Sequence, residues 1–125
     1  MGQPRTYPAT ITGVHDGDSA TALADLGWGV LRVVTIRLNG INAIELNQPG
    51  GKEARDHLLT LMPINTKVML TVLGWDKYGD RSDSLIALPD GRDVCTQMVV
   101  DGYAAVWDGK GPRPVPPWPV PVVQP

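Results

Sequence analysis

Apolar and polar side chains alternate from Tyr7 to His15, a period of two that predicts a strand. Asp16-Gly17-Asp18 supplies turn chemistry, and Ser19 to Ala24 resumes the alternation, so this region reads as a hairpin. Asp25-Leu26-Gly27-Trp28-Gly29 marks a second turn. Val30 to Asn39 then predicts a longer strand in which Val34, Ile36 and Leu38 share one face and Val33, Thr35, Arg37 and Asn39 the other. Arg37 therefore points away from the main apolar stripe. After residue 51 the period changes: Lys52 to Met62 has helical spacing, with Ala54, Leu58 and Leu61 on one face, and Pro63 ends it. Lys67 to Leu73 reads as a strand, Gly74 to Asp83 as a polar loop and Ser84 to Leu88 as a further strand. Pro89-Asp90-Gly91 is a turn, and Val94 to Asp101 a helix stopped by Gly102. Three strands, a helix, two strands and a helix fit a small closed sheet with a helix across one end.

A chain of 125 residues predicts one core rather than two. The domain is expected over 7–108, between an N-terminal arm at 1–6 and a tail at 109–125. That tail holds most of the 12 prolines. Proline fixes φ and removes a backbone donor, so the tail is expected as an extended arm, either solvated or available for protein contact or self-association. At 42% hydrophobic residues the chain has material for a core, yet no apolar run is long enough to span a bilayer. The opening residues carry no apolar leader and Cys95 stands alone, which together predict a cytoplasmic protein with Cys95 as a small core residue. A net charge of −2 argues against broad, tight nucleic-acid binding driven by counterion release. It leaves room for a local positive pocket built by Arg37, Lys77 and Arg81.

The chemistry concentrates in Asp16-Gly17-Asp18-Ser19 and in the run from Arg37 to Glu45. Carboxylates hold a hard cation, an arginine meets a phosphate, and a remaining carboxylate handles water: these are the parts of metal-assisted attack on a phosphodiester. Each piece has a plainer reading. Asp-Gly-Asp alone is a tight turn, and an arginine on a strand can simply pair with a surface carboxylate. His15 and His57 have no partners that would make them ligands, His57 being expected among solvent-facing helix residues. Trp28 and Trp75 fall in or near turns where a base could stack; Trp107 is expected near the barrel and Trp118 in the tail.

Strand, Asp-Gly-Asp-Ser, strand, Arg37-Leu38 through Glu45, helix, and then Asp76-Lys77-Tyr78-Gly79 with an arginine close behind resembles the staphylococcal nuclease (thermonuclease) family over about residues 8 to 107. The resemblance implies a mainly β protein, a five-stranded OB-fold barrel with two helices, that hydrolyses DNA and RNA phosphodiesters with calcium. It implies that Asp18 binds the calcium, with Asp16 beside it, and that the backbone carbonyl of Ala43 also coordinates. Arg37 would grip the scissile phosphate, Glu45 would act through water, and Lys77 and Tyr78 would contact a nucleotide phosphate. Asn42 stands where the family has a second calcium-binding aspartate, and Asp80 precedes Arg81, the second catalytic arginine, which is thereby shifted. The family's third helix is replaced by the proline-rich tail.

Two functions follow. One is a slow calcium-dependent nuclease, weakened because Asn42 lacks the negative charge that calcium affinity depends on. The other is a catalytically impaired barrel that binds single-stranded nucleic acid weakly, or a protein partner.

Overall fold

The computed structural model describes residues 5–77, 79 and 81–117. Five strands close into a barrel: β1 (Arg5–Asp16), β2 (Ser19–Asp25), β3 (Leu31–Leu38), β5 (Lys67–Trp75) and β6 (Arg81–Ala87). Their order around the barrel is β1, β2, β3, β6, β5, with β5 returning to β1. All neighbours are antiparallel except β3 and β6, which run parallel. A barrel leaves no edge to pair with other chains. The architecture is an OB-like barrel with two helices, α1 (Gly51–Leu61) and α2 (Val94–Val100).

The interior follows from alternation. Ala20, Ala22 and Ala24 of β2 face inward beside Val34, Ile36 and Leu38 of β3, and Ile11, Leu70 and Ile86 complete the barrel filling. Helix α1 presents Ala54 and Leu58 to this core, with Met62 just beyond its end. Asp93 caps α2 by accepting from the Thr96 amide at 3.0 Å. Gly102 at φ +88 ends the helix, with Tyr103 N donating back to Met98 O at 2.9 Å, the closing pattern of a Schellman motif. Cys95 lies in the core, where burial pushes its thiol up to about 12.

Several expectations are corrected. Arg5 and Thr6, expected in an arm, are the first residues of β1, paired with Val72 and Thr71. The expected loop from Gly74 to Asp83 shrinks to a short turn, because β5 runs on to Trp75 and β6 begins at Arg81. Polar Ser82, expected in that loop, faces the interior beside Ser84, whose Oγ donates to Ser82 Oγ at 3.0 Å. Two short strands, β4 (Ile41–Ala43) and β7 (Ala104–Val106), pair as a separate sheet that three-residue patterns do not announce. His57 is half-buried rather than on a solvent-facing side: it stacks on Tyr103 and its Nε2 lies 2.6 Å from Asp101 Oδ2, tying α1 to the end of α2.

The start of the tail does not run free. After Trp107, whose amide donates to Gly40 O, the chain bends through Gly109 and Gly111, both at positive φ. Lys110 O accepts from Trp107 Nε1 at 3.0 Å, and Pro114 O lies 3.4 Å from Asn42 Nδ2. Residues 107–114 therefore fold back toward β4.

Candidate functional site

Asp16 ends β1 and Asp18 precedes β2. Asp16 Oδ1 accepts from the Asp18 amide at 3.1 Å and the Ser19 hydroxyl at 2.7 Å, which closes the turn through its own side chain. Gly17 makes the turn's docking possible: a Cβ there would lie 2.7 Å from Ala43 Cβ and 2.8 Å from Ala54 Cβ. The turn packs against β4 and α1, and Asp18, 7% exposed, accepts from the Ala43 amide through Oδ2 at 2.9 Å.

Arg37 projects from β3 on the face opposite Ile36 and Leu38, in register with Ser19. Its Nη1 donates to Leu38 O and its Nη2 to Ile41 O, both at 2.9 Å, and Nη1 stands 3.5 Å from Asp18 Oδ2. Two carbonyls thus fix the guanidinium head while further N–H groups remain for an anion. Glu45 follows β4 and opens a turn in which Gln48 N donates to Glu45 O. Gly51 holds that turn close to helix α1, since a Cβ at Gly51 would lie 2.0 Å from Glu45 O.

These pieces surround one open cleft of about 480 Å³ lined by Asp16, Asp18, Ser19, Arg37, Ala43, Glu45, Leu46, Asn47, Arg81 and Arg113. Three carboxylates and three guanidinium groups meet there. Of the expected site residues, Asp16, Asp18, Arg37, Ala43, Glu45 and Arg81 come together. Asn42, buried in β4, and Lys77, exposed in the turn between β5 and β6, are not among the lining residues. Trp28 and Trp75 do not line it either; Trp75 carries the Arg32 guanidinium over its ring at 4.6 Å. Tyr78, Asp80 and Trp118 lie outside the described residues.

Arg113 had no part in the sequence reading. Its Nη1 donates to Glu45 Oε1 at 2.6 Å, and its guanidinium lies 5.6 Å from the Trp107 ring centroid. Its place between two prolines was the only available signal. Gly17 and Gly51 were missed as well, because their need for a bare Cα arises from neighbours distant in sequence.

Crowded carboxylates shift one another. Burial pushes Asp18 up to about 6, and its hydrogen bond to Asp16 adds to this; the Ala43 amide and Arg37 pull the other way without prevailing. For Asp16 burial also opposes the charge, but hydrogen bonds from the Asp18 side chain, the Ser19 hydroxyl and the Asp18 amide, with Arg37 nearby, bring it below its ordinary value. Burial thus favours neutralising this pair, by a proton or by a cation in its place.

The donors suit a hard cation in kind, being two carboxylates and neutral oxygens. Asn42 Oδ1 is buried and lacks a hydrogen-bond partner among the described residues, an amide oxygen still able to coordinate. Their number is small: the described residues contain no group of three acidic, histidine or cysteine side chains arranged to hold a metal. No protein-family model and no curated protein matches the chain.

Proposed function

We propose that this protein is a staphylococcal nuclease-like, calcium-dependent phosphodiesterase acting on single-stranded DNA or RNA, and that it is a slow one. The observation that carries the reading is the meeting of Asp16, Asp18, Arg37, Glu45 and Arg81, from three separate stretches of sequence, around one cleft. Arg37 and Arg81 bind the phosphate and oppose the charge that grows on its oxygens during in-line attack; Arg37, already oriented by two carbonyls, reorganises little. Glu45 orients the attacking water and takes its proton. Asp18 and Asp16, with Asn42 Oδ1 and the Ala43 carbonyl, would hold a calcium ion, whose positive charge would polarise the phosphate. Lys77 and Tyr78 would meet a neighbouring nucleotide phosphate.

The test is cleavage of single-stranded DNA by purified protein with calcium. Cutting that stops on chelation and is lost in Glu45→Gln and Arg37→Ala supports the reading. Absence of cutting by concentrated protein overturns it. In that case the second reading takes over, a catalytically impaired module that binds nucleic acid, favoured by the pairing of Glu45 with Arg113 and by the single neutral residue at Asn42.

A further inference from the structure

Arg113 is the cation of the cleft that the barrel itself does not supply. It reaches the mouth from the proline-rich segment, which is pinned on both sides: Trp107 Nε1 donates to Lys110 O and the Lys110 amide to Asp108 Oδ1 before it, and Asn42 Nδ2 approaches Pro114 O after it. Pro112 and Pro114 restrict the backbone on either side of Arg113, so presenting its side chain costs less entropy than it would in a flexible tail. Nη1 engages a single Glu45 oxygen, and the side chain is 49% exposed, so part of the planar fork stays open to solvent in the cleft.

Charge shows what this cation changes. Asp16, Asp18 and Glu45 face Arg37 and Arg81, so without Arg113 the ionised, calcium-free cleft is net negative and repels a phosphodiester. With Arg113 it is balanced. The whole chain carries −2, so no long-range field compensates. An ion pair this exposed is held weakly and can be exchanged.

Resting on the function proposed above, we propose that Arg113 is a third substrate-binding arginine, supplied by the C-terminal segment, that transfers from Glu45 to a backbone phosphate of single-stranded nucleic acid. The exchange has a consequence for the chemistry. The step that seats the phosphate also releases the Glu45 carboxylate for water, so Glu45 becomes competent only in the presence of substrate.

The test is binding of fluorescein-labelled oligo(dT) to the full chain, with chelator and separately with calcium, over a salt series. Arg113→Ala is expected to weaken binding roughly tenfold and to reduce the slope of log K against log salt by about 0.7, the value of one lost phosphate contact on a single strand. Arg113→Lys, which keeps charge without the fork, should fall between the two. Arg92→Ala, in an exposed pair with Asp90, should match wild type. Wild-type protein that binds oligo(dT) with an Arg113→Ala affinity and salt slope equal to its own overturns this proposal and leaves the nuclease reading intact. Faster cleavage by Arg113→Ala at unchanged KM also overturns it, since that marks a restraint on Glu45 rather than a substrate contact. Wild-type protein that neither binds nor cuts overturns the reading beneath it.

Discussion

The two turns that flank β2 begin with the same chemistry and end in different circumstances. Asp16 Oδ1 accepts from an amide two residues on at 3.1 Å, and Asp25 Oδ1 does so at 2.9 Å. Around the second turn the chain is open: Gly27, Trp28 and Gly29 all take positive φ, a Cβ at Gly27 would meet nothing within 4 Å, and Trp28 is fully exposed. Local hydrogen bonds such as Val30 N to Gly27 O hold the turn, which otherwise faces solvent. The first turn is instead pressed between β4 and α1, which buries Asp18, aims the Ala43 amide at it and brings Arg37 alongside. An aspartate turn becomes a candidate site when neighbouring elements strip water from its carboxylates and replace it with directed donors.

The largest test of this contrast is activity. Glu45→Gln and Arg37→Ala are expected to lower the rate of calcium-dependent cleavage by roughly 100-fold or more, the usual scale for a lost base or charge-stabilising donor. Asp25→Asn, in the open turn, should leave the rate of oligonucleotide cleavage unchanged. Equal losses at both turns would dissolve the distinction.

Calcium affinity comes next. Asn42→Asp should tighten calcium by about tenfold in a calorimetric titration, because affinity rises with ligand charge. Without calcium the same change buries a carboxylate in β4 and should lower stability by about 1–3 kcal/mol, so its melting temperature becomes strongly calcium-dependent. An unchanged calcium titration would place Asn42 outside the coordination shell.

The glycines separate packing from backbone strain. Gly17→Ala forces apart Ala43 and Ala54 and should cost about 1–3 kcal/mol in urea unfolding while also reducing cleavage. Gly27→Ala has space but an unfavourable φ of +83, so it should cost about 1 kcal/mol and leave cleavage intact.

The smallest effect is on pH dependence. Burial raises Asp18 from an ordinary 3.8 to about 6, so between about pH 4 and 6 the native state binds more protons than the unfolded chain. Its contribution therefore lowers stability as pH rises through this window, and the penalty is complete above pH 6. The lowered Asp16 acts with the opposite sign, below its ordinary value. Asp18→Asn, which can keep the Ala43 hydrogen bond, should flatten the decline seen in melts between pH 4 and 7. Calcium, exchanging with the proton, should bind more tightly up to about pH 6 and then level off.

Much of the barrel was legible because alternation is a local consequence of burying one face of a strand. The faces of β3, with Ile36 inward and Arg37 outward, follow directly, as do the helix stops at Pro63 and Gly102. The first three residues of β6 were not legible, because Ser82 occupies an inward position normally taken by an apolar residue. β4 and β7 are too short to carry a period, and the return of the tail depends on hydrogen bonds to Trp107 and Asn42 that composition does not encode. Within the candidate site, Asp16, Asp18, Arg37 and Glu45 could be singled out by residue type and spacing. Arg113, Gly17 and Gly51 could not.

By itself the chain determined the longer strands and the two helices, and which carboxylates and arginines stand near their ends, since both depend on near neighbours and on the period of apolar positions. Only the closed barrel, with β4 and α1 laid against its first turn, decided that Asp18 is buried beside Asp16, that Gly17 and Gly51 must lack a Cβ, and that Arg113 meets Glu45 from 68 residues away. The physical reason is that desolvation, close packing and ion pairing act between groups brought together in space, and no local pattern records what the folded chain will bring there.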